Sequence, residues 1–217
     1  MSPRFHAGGH VLLADPLGGF GDVVDVGVGL HGFGRAALDP RGLLSLRAEV
    51  GFLNYGNESQ RVCLSATVGC RIEVDLVTSN NIFLLNGGPE LAVPLGSARL
   101  YGLATAGLAY FTTESSVSGS EDHDTPFAQT RNFSDATFAW TAGGGVQIPV
   151  YRGWNPVHVD LAVRYHGNGQ AQYLTPGDIE DLPGGEIRIT PRHGDTNLLT
   201  FQLGVSVGIR AGERPHD

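Results

Sequence analysis

Apolar and polar residues alternate with a period of two through most of the chain, most completely in its last apolar segment. From Leu199 onward, Leu199, Phe201, Leu203, Val205, Val207 and Ile209 make one wholly apolar face, and Thr200, Gln202, Gly204, Ser206, Gly208 and Arg210 make the other. A strand sends successive side chains to opposite faces, so this spacing predicts a strand with one apolar and one polar side. Val157, Val159, Leu161, Val163 and Tyr165 stand in the same way against His158, Asp160, Ala162, Arg164 and His166. Leu44, Leu46, Ala48, Val50 and Phe52 oppose Ser45, Arg47, Glu49 and Gly51, and Val24, Val26, Val28 and Leu30 oppose Asp25, Gly27, Gly29 and His31. Phe138, Trp140, Ala142, Val146 and Ile148 face away from Thr141, Gly143, Gly145 and Gln147, while Leu100, Ala104, Ala106, Leu108 and Tyr110 face away from Arg99, Tyr101 and Thr105. Two weaker segments, Phe5 to Leu13 with His6 and His10, and Ile82 to Val93 with Asn86 and Glu90, complete a set of eight. The expected strands run over 4–14, 22–36, 43–55, 80–94, 98–112, 136–150, 157–167 and 197–210.

The connections alternate in length. Asp39-Pro40-Arg41-Gly42, Gly96-Ser97 and Arg152-Gly153-Trp154-Asn155-Pro156 are short and rich in turn formers. Between them lie Asp15 to Gly21, Gly56 to Asn80, Thr113 to Asp135 and Gly167 to Thr196. Tight turns at one end and long connections at the other belong to an up-and-down antiparallel barrel. The reading is all-β: residues 1–217 as a single domain, one closed antiparallel barrel of about eight strands. Ile72, Val74 and Leu76 keep the alternation on the opposite parity from Phe83 and Leu85, which predicts a bulge near Ser79 to Asn81 and a hairpin reaching past the barrel wall.

Alternation alone fits two barrels, one with its apolar face inward as in a soluble carrier and one with that face toward lipid. Residue size separates them. A solvated face would carry long charged side chains, Lys and Glu above all, yet the chain has no Lys and its 14 basic residues are all Arg. Its polar faces are mostly Gly, Ser, Thr, Ala and Gln. Among its 32 glycines, Gly27, Gly29, Gly143, Gly145, Gly204 and Gly208 would make room in a narrow lumen for Arg, Glu and His. Phe52, Tyr110, Phe138, Trp140 and Tyr165 fall toward segment ends, where a membrane barrel places an aromatic girdle. No apolar run approaches the roughly 20 residues of a membrane helix, and Met1 to His10 lacks the basic start and apolar core of a signal peptide. A net charge of −8 argues against nucleic acid as a partner.

With this rhythm, and with its final strand LLTFQLGVSVGIR, the chain resembles the small outer-membrane β-barrels of the OmpA, OmpX and opacity-protein type over nearly its whole length. Those proteins usually finish on an aromatic residue, whereas this chain continues from Ala211 to Asp217 as AGERPHD. The resemblance implies a bacterial outer-membrane location, contact with outer-membrane lipid, and function carried by the loops.

Asp25, His31, Arg47, Glu49, Glu90, Arg99, His158, Asp160, Arg164 and His166, together with His6 and His10, are expected inside the lumen. Both charge signs are present, and buried charges must be paired, so a structural network that plugs the barrel and fixes register is the favoured reading over a proton path or an acid/base pair. No catalytic or cofactor residue is assigned. A membrane-embedded lipid enzyme would need Ser, His and an acid at the outer rim, with His166 the candidate to test. Cys63 and Cys70 lie close enough in sequence for a small-loop disulfide. Glu121, Asp122, His123 and Asp124 read as a solvated acidic loop before a cation site, and Asn57 and Asn132 match a weak glycosylation pattern. Gly143-Gly144-Gly145 sits in a strand and lacks the following helix and Lys of a phosphate loop. The expected function is a non-enzymatic outer-membrane barrel presenting long loops for surface contact, adhesion, envelope structure or self-association. A soluble or periplasmic ligand-binding barrel is the alternative.

Overall fold

The computed structural model describes residues 3–63, 73–119, 128–175, 177–181 and 187–210. Eight long strands carry the alternating pattern: β1 (Phe5–Pro16), β2 (Gly27–Ala37), β3 (Leu44–Cys63), β4 (Glu73–Leu95), β5 (Ala98–Gly119), β6 (Ala128–Tyr151), β7 (Val157–Asn168) and β12 (Leu198–Ile209). They close into one barrel in the order β1-β12-β7-β6-β5-β4-β3-β2, every neighbour antiparallel. Short strands β8 (Gln170–Tyr173), β9 (Ile179–Asp181), β10 (Ile187–Ile189) and β11 (Arg192–Asp195) occupy the connection from β7 to β12, where β8 pairs with β11 and β9 with β10.

Tight turns join the strands at one end. Gly96 and Ser97 form a two-residue connection in which Leu95 pairs with Ala98, and Gly96 takes φ +61°, a left-handed conformation that costs glycine little. In the turn from β2 to β3 the Asp39 carboxylate accepts the N–H groups of Leu44 at 2.7 Å and Arg41 at 2.9 Å. Those bonds, led by the one from Leu44, hold its carboxyl below the usual range.

The apolar face points outward. Leu203 is 53 % exposed while Gln202 is 3 % exposed and Ser206 fully buried, and the same contrast separates Leu46 and Val50 from Arg47 and Glu49. This orientation overturns the carrier-like alternative with an apolar lining, because the polar side chains take the interior. On the outer wall near the long-connection end, Phe52, Phe83 and Tyr110 follow one another across β3, β4 and β5 with ring centroids 5.0 and 6.5 Å apart, and Trp140 lies 5.4 Å from Tyr165 across β6 and β7.

Four expectations change. Strand β2 begins at Gly27, so Asp25 lies before it and is exposed, while Val24 turns into the core. The physical reason is the 3-10 turn Gly18–Phe20, which buries Phe20 in the barrel mouth and carries the chain inward before β2 starts. The spans expected to be the second and third long connections are largely paired strand: β3 to β6 continue past the barrel rim, with Cys63 opposite Glu73, Val74 opposite Gly119 and Val117 opposite Ala128. The bulge falls on β3 at Tyr55, opposite Asn80 and Asn81, and not on β4, which pairs with β5 in one register. Finally, the lumen is not polar throughout. Leu12, Leu53, Ile82, Leu84, Phe111 and Leu198 form an apolar core at its long-connection end, capped by Phe20, Tyr55 and Tyr173. Phe20 meets Tyr173 edge-on at 4.9 Å and Tyr55 at 5.5 Å.

Candidate functional site

Beneath that apolar cap the lumen carries a charged network built by period-two placement on seven strands. Glu49 and Arg47 come from β3, Glu90 from β4, Arg99 and Tyr101 from β5, Gln147 from β6, Asp160, Arg164 and His166 from β7, His31, Phe33 and Arg35 from β2, and His10 from β1. Three carboxylates organise it. Glu90, with no exposure, accepts from Arg35 at 2.6 Å, Arg47 at 2.8 Å and Arg99 at 3.0 Å. Glu49 accepts from Arg47 and, at 2.6 Å, from Arg164, and lies 3.7 Å from His31 Nε2. Asp160 accepts from the Tyr101 hydroxyl at 2.8 Å and Gln147 Nε2 at 2.9 Å, with His10 Nε2 at 3.4 Å. The His10 and His31 rings meet Nδ1 to Nδ1 at 3.2 Å, and the Arg47 guanidinium stacks 3.6 Å from the centre of the Phe33 ring.

A lumen this narrow needs glycine where large side chains cross it. A Cβ on Gly204 would lie 2.5 Å from His10 Cδ2 and 2.1 Å from the Gly9 carbonyl oxygen, and one on Gly143 would lie 2.9 Å from Arg164 Cγ. These two glycines do what their face predicted.

Of the expected lumen residues, His31, Arg47, Glu49, Glu90, Asp160, Arg164 and His166 are buried and inward, and Arg99 and His158 are half-buried at the turn end. Asp25 alone is misplaced, because β2 starts only after it. His166 bonds Thr141 at 3.0 Å through Nδ1 and Thr200 at 3.0 Å through Nε2, so both its nitrogens meet threonines and, among the described residues, no serine or carboxylate bonds it to complete a triad. Tyr101 and Gln147, which the alternation places on the polar faces of their strands, also join the network, as do Arg35 and Phe33, which it does not name. Arg35 and Phe33 simply continue the inward parity of His31, and that extension was the available signal.

Outside the barrel wall, Asp178 accepts from Arg192 Nε at 2.9 and 3.1 Å and from the Thr175 N–H and hydroxyl at 2.9 Å each, pinning the connection between β8 and β11. Burial pushes its carboxyl up, but the bonds from Arg192 and Thr175 outweigh burial and hold it below the usual carboxylate range. The acidic residues 121–124 and Cys70 fall outside the described residues, and Cys63 is described only as the end of β3. Asn57 sits exposed near the top of β3, and Asn132 donates to Ser115 Oγ at 2.6 Å. Among the described residues, no group of three or more His, Cys, Asp and Glu is placed to hold a metal ion.

The sequence matches no protein-family model and no curated protein. In structure it is similar to Neisserial surface protein A (NspA), with a TM-score of 0.53 and 11 % identity over 96 % of this chain and 99 % of that one. Ail, the attachment invasion locus protein of Yersinia pestis, gives a TM-score of 0.44 and 11 % identity over 95 % and 99 % of the two chains. A major outer membrane protein from Thermus thermophilus gives 0.41 and 16 % over 93 % and 98 %. In its closed, eight-stranded, antiparallel architecture, this chain has the fold of the small outer-membrane β-barrels.

Proposed function

We propose that this chain is a non-enzymatic bacterial outer-membrane protein, its lumen closed by side chains, that acts through the strands and connections standing above its loop-side rim. Those elements contact a surface, a partner or further copies of the same chain. The observation that carries this reading is the inverted polarity of the wall: Val11, Leu30, Leu85, Leu108 and Leu203 stand more than half exposed around a barrel whose interior holds Arg47, Glu90, Asp160 and Arg164 at 1 % exposure or less. An apolar band round a closed barrel fits lipid, and leaving it in water would cost roughly 25 cal/mol for each Å².

Closure of the lumen is supported by its layered filling. Ion-paired arginines occupy the turn-side half, and the apolar residues under Phe20 and Tyr173 occupy the other. About eight strands leave an interior only just wide enough for such side chains. The threonines on both His166 nitrogens favour a structural role there over a catalytic one.

The test is refolding. In detergent the chain should become strand-rich by circular dichroism and migrate faster on a denaturing gel when unboiled than when boiled, and it should aggregate in plain buffer. A monodisperse β-fold in plain buffer would sink the membrane reading. In planar bilayers the folded protein should show no stepwise conductance, and steady channel openings would reject the closed lumen.

A further inference from the structure

At the turn-side end, below the Glu90 cluster, the barrel opens into a cavity of about 540 Å³. Its lining is unusual for an acidic protein. Arg35, Arg41, Arg99, Arg152 and Arg210 all border it, with His6 and His158, and no Asp or Glu is among the described lining residues. Arg35 and Arg99 converge on Glu90 from the cavity side, and Arg47 takes the same carboxylate's other oxygen from within. One buried carboxylate therefore serves three guanidiniums. Arg41, Arg152 and Arg210 have no ion pair among the described residues.

Polar atoms at the cavity also lack partners. Ser45 is 1 % exposed, lines the cavity, and its hydroxyl has no hydrogen bond. His6 Nδ1, His158 Nδ1 and Arg210 Nε are buried atoms in the same condition, the two imidazoles lying 6.5 Å apart. A buried hydroxyl left unbonded is destabilising, and guanidiniums gathered round one cavity with Glu90 as their one paired carboxylate among the described residues repel one another. Both penalties vanish if an anion with several acceptor oxygens sits among them. Guanidinium forks match tetrahedral oxyanions in geometry as well as charge, and the volume exceeds that of a small anion with several waters.

We propose that this turn-side vestibule is a binding site for a phosphate-class oxyanion, held by Arg35, Arg99, Arg152 and Arg210 with Ser45 as a neutral donor. The anion is either free or the headgroup of a lipid in the adjoining leaflet, and both offer the same chemistry to the site.

The full chain, refolded in a nonionic, phosphate-free detergent, is titrated with pyrophosphate by calorimetry at fixed ionic strength. Saturable one-to-one binding is expected, weakened about tenfold or more in Arg152→Gln/Arg210→Gln, variants outside the Glu90 cluster that leave the barrel intact by the gel-shift criterion. Ser45→Ala should also weaken binding although it removes no charge, which diffuse attraction would not explain. Short-chain phosphatidic acid that competes with pyrophosphate assigns the site to a headgroup; binding of inorganic phosphate and pyrophosphate alone assigns it to a free anion. Absence of saturable heat overturns the proposal, as does an affinity indifferent to both variants. Binding that appears only in Glu213→Gln/Asp217→Asn also overturns it, since the occupant would then be the chain's own acidic C-terminal segment.

Discussion

Replacing Glu90 by Gln keeps the shape of the side chain and deletes the charge on which Arg35, Arg47 and Arg99 converge. The carboxylate has no exposure, and its three partners lie 2.6, 2.8 and 3.0 Å away, so no water can take its place without rearrangement. Among the described ion pairs, Arg47 and Arg164 would then keep only Glu49, and Arg35 and Arg99 would have no carboxylate. Removing one partner of a buried ion pair costs about 3–5 kcal/mol, a large part of the roughly 5–15 kcal/mol that holds a domain folded. At a denaturant slope of about 2 kcal/mol per molar urea, the unfolding midpoint of the refolded barrel should fall by about 2 M. The assay is urea titration in lipid vesicles, read as loss of the fast-migrating gel band. Arg99, whose side chain is 21 % exposed, is the cation whose loss should relieve the imbalance most cheaply. Arg99→Gln combined with Glu90→Gln should therefore cost less than the two single losses added together. A Glu90→Gln protein within about 0.5 kcal/mol of the parent would refute the claim that this carboxylate anchors the lumen.

Leu203→Arg places a charge at the middle of β12 on the outward face and should cost about 2–4 kcal/mol in a bilayer, measured by the same titration; a neutral result would mean that this face does not meet lipid. Gly204→Val drives a side chain into His10 and the Gly9 carbonyl and should lose about 1–3 kcal/mol or fail to refold, whereas unchanged stability would show that the lumen has slack at this level. For Asp178 the folded carboxyl is held low, so its contribution is complete above the ordinary carboxylate pKa of about 4 and is lost as pH falls below that. The Thr175 amide should accordingly be protected from hydrogen exchange at neutral pH and lose protection in acid, and Asp178→Ala should remove it at every pH; protection that ignores pH would exclude the carboxylate as the anchor.

The barrel was legible because the two-residue period runs through each wall strand, and because the alternation of short and long connections is independent of it. In β12 and β7 the inward residues Gln202, Ser206, Asp160 and Arg164 could be named from parity alone. What parity does not encode is depth and partnership. Nothing in the spacing says that Glu90 collects three arginines while Glu49 takes two, since those pairs join residues up to 115 positions apart. The apolar cap escaped for a different reason. Phe20 sits in a 3-10 turn and Tyr173 ends a strand of four residues, too short for its alternation to be told from chance, and only the closed mouth gives them something to bury against. Asp25 departs from its expected place because a strand's parity means nothing before the 3-10 turn has released the chain into β2. Of the tall hairpins the spacing predicts only the one of β3 and β4, from Ile72, Val74 and Leu76; the extension of β5 and β6 escapes it because solvated strands with polar residues on both faces lose the contrast on which periodicity depends.

Those hairpins give the rim an uneven height, and the unevenness has a direction. Within the barrel every strand has two neighbours, but β2 leaves β3 after Asn54, so among the described residues the upper part of β3 has a ladder partner only in β4, whereas above Ala139 β6 is flanked by β8, the Gly169 N–H bonding the Phe138 carbonyl and the Gln172 N–H the Asp135 carboxylate. β3 climbs away from the turn end and β6 descends toward it. Two copies inserted the same way up are related by rotation about the membrane normal or by translation within the plane, and neither reverses a strand. Joining β3 to β3 would thus make a parallel ladder, unlike every pairing in the molecule, while β3 of one copy against β6 of the next would be antiparallel but would have to displace β8 from the β6 edge. An antiparallel seam of that kind is head-to-tail, so it would propagate as a row or close as a ring.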